Sequence, residues 1–442
     1  MVKGSTLSVI AAAWLTVVNA FPTSYDHTSN HINNDSELLA PLYVPSDAEA
    51  ISDSYIVILK DHVDSTQALG YHCQWVSNSL VKRDRTMSDY YLDSNVALGI
   101  KHTYDSPGWR GYSGKFSLEM LEYIRSSPDV AYVERDTMVY ASELQRNAPW
   151  GLARISHRDE LNLRSFNKYP YEANGGQDIK VFVIDTGINV LHNDFNGRAK
   201  WGVTIPDGDD DEDGNGHGSH CAGTIAGKRF GVAKKAMPVA VKVLRSNGSG
   251  SMSGVLAGVN WATEQHQIDA SEAKAAGKAY KGAVANMSLG GGKSNALNKA
   301  VNEAVNAGII FSVAAGNDNR DACNYSPAGA ENAITVGASN IRDERASFSN
   351  FGPCVDVFAP GENILSIWRG SKDATNSISG TSMAAPHVAG LAAYFASLEE
   401  APVSPKKIKE KILELASKDK LSNIPKETPN LLIFNDPPKS LF

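Results

Sequence analysis

Ser379-Gly380-Thr381-Ser382-Met383-Ala384-Ala385-Pro386-His387 reads as a turn of small residues running straight into a helix, whose apolar face continues through Val388, Leu391 and Phe395. Pro386 is expected in the first helical turn, where a missing N–H has no partner to lose. Ser382 then stands where the helix begins, among free backbone N–H groups and at the positive end of the helix dipole. That place suits a nucleophile whose reaction puts negative charge on a carbonyl oxygen, because the serine's own N–H can donate to it. The same residue could be an ordinary N-cap. The chain upstream decides between the two.

From about Gly175, apolar runs alternate with helical stretches. Residues 179–184, 238–244, 283–289, 309–315 and 333–336 are nearly all apolar, as strands buried on both faces must be. Helical patterns fall near 217–226, 253–265, 295–307 and 382–397, with 271–281 a solvated loop or helix extension and 406–415 a capped surface helix. This alternation predicts an α/β fold, a parallel sheet with helices on both faces. Its ligand site should lie at the carboxyl ends of the strands.

Two motifs fall there. Val183-Ile184-Asp185-Thr186-Gly187 ends a buried strand on a carboxylate, and Gly214-Asn215-Gly216-His217-Gly218-Ser219-His220 is a flexible loop opening into a helix and presenting an imidazole. With Ser382 they give the order Asp, His, Ser. Serine is a poor nucleophile until a base takes its proton, and a buried carboxylate fixes the tautomer of that base and stabilises the imidazolium. Ala314-Ala315-Gly316-Asn317 adds a strand end carrying a side-chain amide, a second donor for an oxyanion. His217, His220 and Cys221 are also of metal-ligand types, but no H-E-x-x-H occurs. The acidic run from Asp209 to Asp213 starts like a calcium loop, yet His220 stands at the twelfth position in place of Glu, so it reads as a solvated loop.

Ahead of this lies a smaller module. Residues 54–135 read as β-α-β-β-α-β, a small ferredoxin-like α+β sandwich able to fold alone. Residues 136–147 read as an exposed linker, and residues 21–53 as loose and polar, with a sequon at Asn34. Residues 1–20 carry Lys3, an apolar run from Leu7 to Val18 and a small-residue end at Ala20, the pattern of a secretory signal peptide. The main domain is then 148–442. Across the 442 residues the net charge is −7 with no basic stripe, which argues against nucleic acid as a partner. No apolar run reaches the roughly 18 residues of a membrane span.

From about Ala148 to Asn435 the chain resembles a subtilase of the proteinase K type, closest to the fungal vacuolar branch typified by cerevisin. The resemblance rests on the three motifs above in their order. It rests also on Ala148-Pro149-Trp150-Gly151-Leu152, on the run from Val241 to Gly250, and on Asn286-Met287-Ser288-Leu289-Gly290-Gly291. It implies a serine endopeptidase with Asp185, His217 and Ser382 as triad and Asn317 as oxyanion donor. Gly248, Ser249 and Gly250 would form one edge of the substrate cleft and Ser288, Leu289 and Gly290 the other, receiving a substrate strand between them. Ala314, Ala315 and Gly316 would wall a primary pocket for apolar or aromatic side chains, without a charged residue.

Residues 54–135 resemble the family's inhibitory propeptide, so the resemblance implies a self-inhibited zymogen, cut between Tyr140 and Asn147, that acts on proteins and peptides as a monomer. It pairs Cys323 with Cys354, leaves Cys221 free and needs no cofactor for catalysis. It also suggests a structural calcium held by Asp356 and the carbonyls of Glu331 and Ala333. Ser219 stands where the family has Thr, a change expected to matter little. A signal peptide places the chain in the secretory pathway, bound for vacuole or exterior. Two other functions compete. A catalytically silent binding protein would have lost one of the four catalytic residues, and an α/β-hydrolase would carry its serine in G-x-S-x-G.

Overall fold

The computed structural model describes residues 39–45, 50–83, 98–137 and 142–438; the expected signal peptide and the Asn34 sequon lie outside them. The chain forms two units, 1–138 and 139–442.

In the first unit, strands Ala50–Leu59, Gly99–Ser106, Trp109–Lys115 and Val130–Thr137 and helices Thr66–Arg83 and Leu118–Arg125 follow the expected β-α-β-β-α-β order. The last strand lies beside the first, and the third separates the first from the second. Val57, Tyr112, Phe116, Leu121, Ile124 and Val133 fill a core of its own. The segment read as loose is partly ordered: Leu42–Tyr43 adds a parallel strand on the edge of Val130–Thr137. Leu42 packs on the core of this unit and the Tyr43 ring meets Tyr132 edge-on, but two residues are too few to carry a periodicity to read.

The second unit is built on a nine-stranded sheet. Its strands are β1 (Lys180–Asp185), β2 (Lys200–Thr204), β3 (Met237–Lys242), β4 (Ala283–Met287), β5 (Ile309–Ala314), β6 (Ile334–Ser339), β7 (Val357–Pro360), β8 (Ser417–Lys418) and β9 (Leu431–Leu432). They lie in the order β8-β9-β7-β6-β5-β4-β1-β3-β2, parallel except where β8 meets β9. After a short helix at Trp150–Arg154, the longer helices are α1 (His217–Ala226), α2 (Met252–Ala275), α3 (Asn295–Asn306), α4 (Thr381–Leu398) and α5 (Pro405–Leu415). Val181 and Val183 of β1 face a core shared with α1 and α4, while Phe182 and Ile184 face one shared with α2 and α3. Alternate residues thus serve opposite layers, which is why the strand is apolar throughout. Helix α4 is apolar all round and buried from Met383 to Ser397.

The linker is shorter than its composition suggests. Ser142–Arg146 pairs antiparallel with Lys168–Glu172, so its second half belongs to this unit. Cys323 and Cys354 form the expected disulfide, closing a separation of 31 residues. On the chain-entropy account, that closure stabilises by about 3–4 kcal/mol. Cys73 and Cys221 are free. Among the described residues, no helix is long and apolar enough to cross a membrane.

Candidate active site

The carboxyl ends of β1, β4 and β5 and the amino ends of α1 and α4 meet at one place. Asp185, the last residue of β1, is fully buried, and its Oδ1 accepts from His217 Nδ1 at 2.8 Å and from Thr186 N at 2.7 Å. That bond puts the proton of a neutral His217 on Nδ1 and leaves Nε2 free to act as a base. Burial opposes charging the imidazole, but the Asp185 charge and hydrogen bond, with the charge of Asp213, outweigh it, so His217 titrates above the ordinary histidine range.

Asp213 departs from the sequence reading. It is not solvated with its acidic neighbours but buried beneath the loop. One oxygen accepts from Thr186 Oγ1 (2.8 Å), Asn215 N (3.1 Å) and Gly216 N (2.8 Å), and the other from Ser219 N (2.9 Å) and Ser219 Oγ (2.5 Å). A carboxylate is thereby satisfied at the amino end of α1, where the helix dipole favours negative charge. Ser219 also accepts from Asn189 N at 2.8 Å, so the hydroxyl that it shares with threonine is in use, and the missing methyl bonds to nothing.

Asp213→Asn should therefore shift the pH profile in a defined direction. The base must be neutral, and removing a negative charge makes the imidazolium easier to deprotonate. The acid limb of kcat/KM should move to lower pH, while plateau kcat falls about 10- to 100-fold as the loop loosens. An acid limb that stays in place would show that Asp213 shapes the loop without acting on His217.

Ser382 is the second residue of α4, and Pro386 lies beyond the first turn, inside the helix. A proline there removes the N–H that would bond the carbonyl four residues earlier, which is that of Ser382. The freed oxygen is bonded from other elements, by Ser288 Oγ at 2.8 Å and by the buried Cys221 Sγ at 3.3 Å. The Ser382 hydroxyl donates in turn to Ser288 O at 3.0 Å. Ser288 thus fastens both ends of the nucleophile's residue.

Asn317 follows β5 and accepts through Oδ1 from Thr381 N (2.8 Å) and Thr381 Oγ1 (2.9 Å). Two donors on one atom identify it as the oxygen, so Nδ2 is turned away from Thr381. A Cβ placed on Gly380 would stand 3.6 Å from both Asn317 Nδ2 and Ser382 N. The two nitrogens therefore flank a space that glycine leaves bare.

Gly248, Ser249 and Gly250 line one cleft with Ser288, Leu289, Gly290 and His217. Leu244, Met252 and Leu297 add apolar surface there that the sequence reading missed. Ala314, Ala315, Gly316 and Asn317 line a contiguous pocket with Ser382. Asp318 also lines that pocket and is exposed, so the expectation of a wall without charge is corrected. His220 faces elsewhere, bonding Ile364 O at 2.8 Å.

Asp356 and the carbonyls of Glu331 and Ala333 do come together, but around the ammonium of Lys409. With that cation among them, they do not fit a calcium ion.

Residues 176–429, more than half of the chain, match the Subtilase family, and residues 54–142 match Peptidase inhibitor I9. Subtilisin-like protease 8 of Trichophyton verrucosum is 55% identical over 412 residues, covering 90% of this chain and 84% of that protein. Subtilisin-like serine protease Pen c 2 of Penicillium citrinum is 54% identical over 415 residues, covering 90% of each. Among solved structures, a cold adapted subtilisin-like serine proteinase matches at 43% identity and a TM-score of 0.58, covering 65% of this chain and 98% of that one.

Proposed function

The chain belongs to the subtilase family, as a subtilisin-like serine protease with an inhibitor segment ahead of its catalytic domain, and from that premise we propose a role for each residue of the site. Asp185, His217 and Ser382 are the triad. Ser382 Oγ turns from Ser288 O toward His217 Nε2, gives up its proton there and attacks the peptide carbonyl. His217 then hands that proton to the leaving amine, and water releases the acyl group by the same path in reverse. Asn317 Nδ2 and Ser382 N hold the oxyanion. The observation that carries this reading is the 2.8 Å bond from His217 Nδ1 to the fully buried Asp185.

The substrate lies as an added strand between 248–250 and 288–290. Small walls at Ala314, Ala315 and Gly316 favour apolar or aromatic side chains before the cut, with Asp318 at the rim tolerating a polar end. The pairing of Ser142 with Glu172 supports a maturation cut just before that strand, after Tyr140 or Ala141. Tyr140 would suit the pocket. We assign the enzyme to the vacuolar branch on its motifs, entering the secretory pathway and working as a monomer in vacuole or exterior. The silent alternative is disfavoured because none of the four catalytic residues is lost.

A serine-directed phosphonate should label the mature protein on Ser382 alone, mapped by peptide mass. Labelling that is absent, or that falls on another serine, would favour the silent reading.

A further inference from the structure

Helix α5 was expected to be a surface helix, yet one of its lysines reaches inward. Ile408 and Ile412, four residues apart, are buried and dock the helix on the sheet. Lys409, beside them, extends to the start of β6. Its Nζ donates to Ala333 O at 2.6 Å and Glu331 O at 3.2 Å, and lies 3.0 Å from each oxygen of Asp356. An ammonium has three N–H donors, and here it meets two carbonyls and one carboxylate. The lysine and aspartate side chains are only 20% and 23% exposed.

Two carbonyls and a carboxylate are the hard oxygen donors that calcium takes, but calcium needs six to eight of them at roughly 2.3–2.6 Å. With Nζ in their midst no divalent ion can enter without expelling the lysine. We infer that Lys409 is a built-in cation, filling a cage that would otherwise need a bound metal and tethering α5 to the strand beside the primary pocket. The link to the pocket is short. Asp356 Oδ2 also accepts from Thr335 N at 2.8 Å, and Thr335 Oγ1 donates to the carbonyl of Ala328, a pocket residue, at 2.8 Å. A dissolved ion could leave in the presence of a chelator, whereas a side chain cannot.

The test uses the full chain carrying Ser382→Ala, so that autolysis does not blur melting curves. In this parent, the melting temperature should be the same in millimolar calcium chloride and in chelator, or any calcium shift should persist in Asp356→Asn. Lys409→Ala should melt about 5 °C lower and regain most of that loss in calcium. The double variant Lys409→Ala, Asp356→Asn should regain none. The inference is overturned if the parent shows a calcium stabilisation that Asp356→Asn abolishes, because the metal then displaces the lysine. It is equally overturned if Lys409→Ala melts like the parent, or melts lower without recovery in calcium. Should Lys409→Ala fail to accumulate folded, calcium titration of the parent against Asp356→Asn decides by itself. Identical curves support the inference, and Asp356-dependent binding refutes it.

Discussion

Ser382→Ala is expected to accumulate as the full precursor and to turn over peptides about 10⁶-fold more slowly, the loss known for the nucleophile of subtilisin, a relative. The residual rate comes from the oxyanion donors and from substrate binding, which the substitution leaves in place. Alanine removes only the hydroxyl bonded to Ser288 O, so the fold and the bonds to the Ser382 carbonyl should persist. In the active enzyme, amino-terminal sequencing should read from Ala141 or Ser142. Intact mass of the variant made in cells lacking other proteases should give the uncut chain. If it matures there at the same bond as the parent, the cut is not its own work.

Asn317→Ala should lower turnover roughly 100- to 1000-fold, about 2.7–4 kcal/mol, with KM nearly unchanged. That range is the one known for the equivalent amide of subtilisin and is carried over. The carbonyl of the bound substrate needs the donor little, and the tetrahedral oxyanion needs it far more. Because Oδ1 of Asn317 accepts both donors of Thr381, alanine also leaves Thr381 N without its partner, next to the nucleophile. Asn317→Asp separates the two effects. It keeps an acceptor for Thr381, so its melting temperature should stay near the parent's, yet its charge repels the oxyanion and turnover should be no better than in alanine. If Asn317→Ala raised KM and spared turnover, Asn317 would be a substrate contact.

Local signals account for what the sequence made legible. A buried strand ending on Asp185, another running out toward Asn317, and a small-residue turn ahead of Ser382 are each a run of neighbours, and their order named the chemistry. Contacts between distant segments were hidden. Asp213 sits in a run of carboxylates, and only the fold shows which one the backbone N–H groups of its loop surround. Lys409 occupies a charged face in the helical pattern, and its inward reach depends on carbonyls some 76 residues away. Pro386 seemed to need the first turn because a proline deeper in a helix strands a carbonyl; Ser288 and Cys221, from two other elements, satisfy that oxygen. The strand Ser142–Arg146 passed for linker because its partner begins only at Lys168.

The stranded carbonyl has a consequence for heat. In an ordinary helix the peptide of Ser382 would be held by its own next turn and would keep its place until the helix melted. Here it is held by the end of β4 and by α1, so the reactive oxygen registers any parting of those elements from α4. Warming that opens this junction slightly should disarm the nucleophile while sheet and helices remain intact. Inactivation by heat should therefore begin below the temperature at which the molecule loses its circular dichroism, and activity and ellipticity followed on one heating ramp would check it.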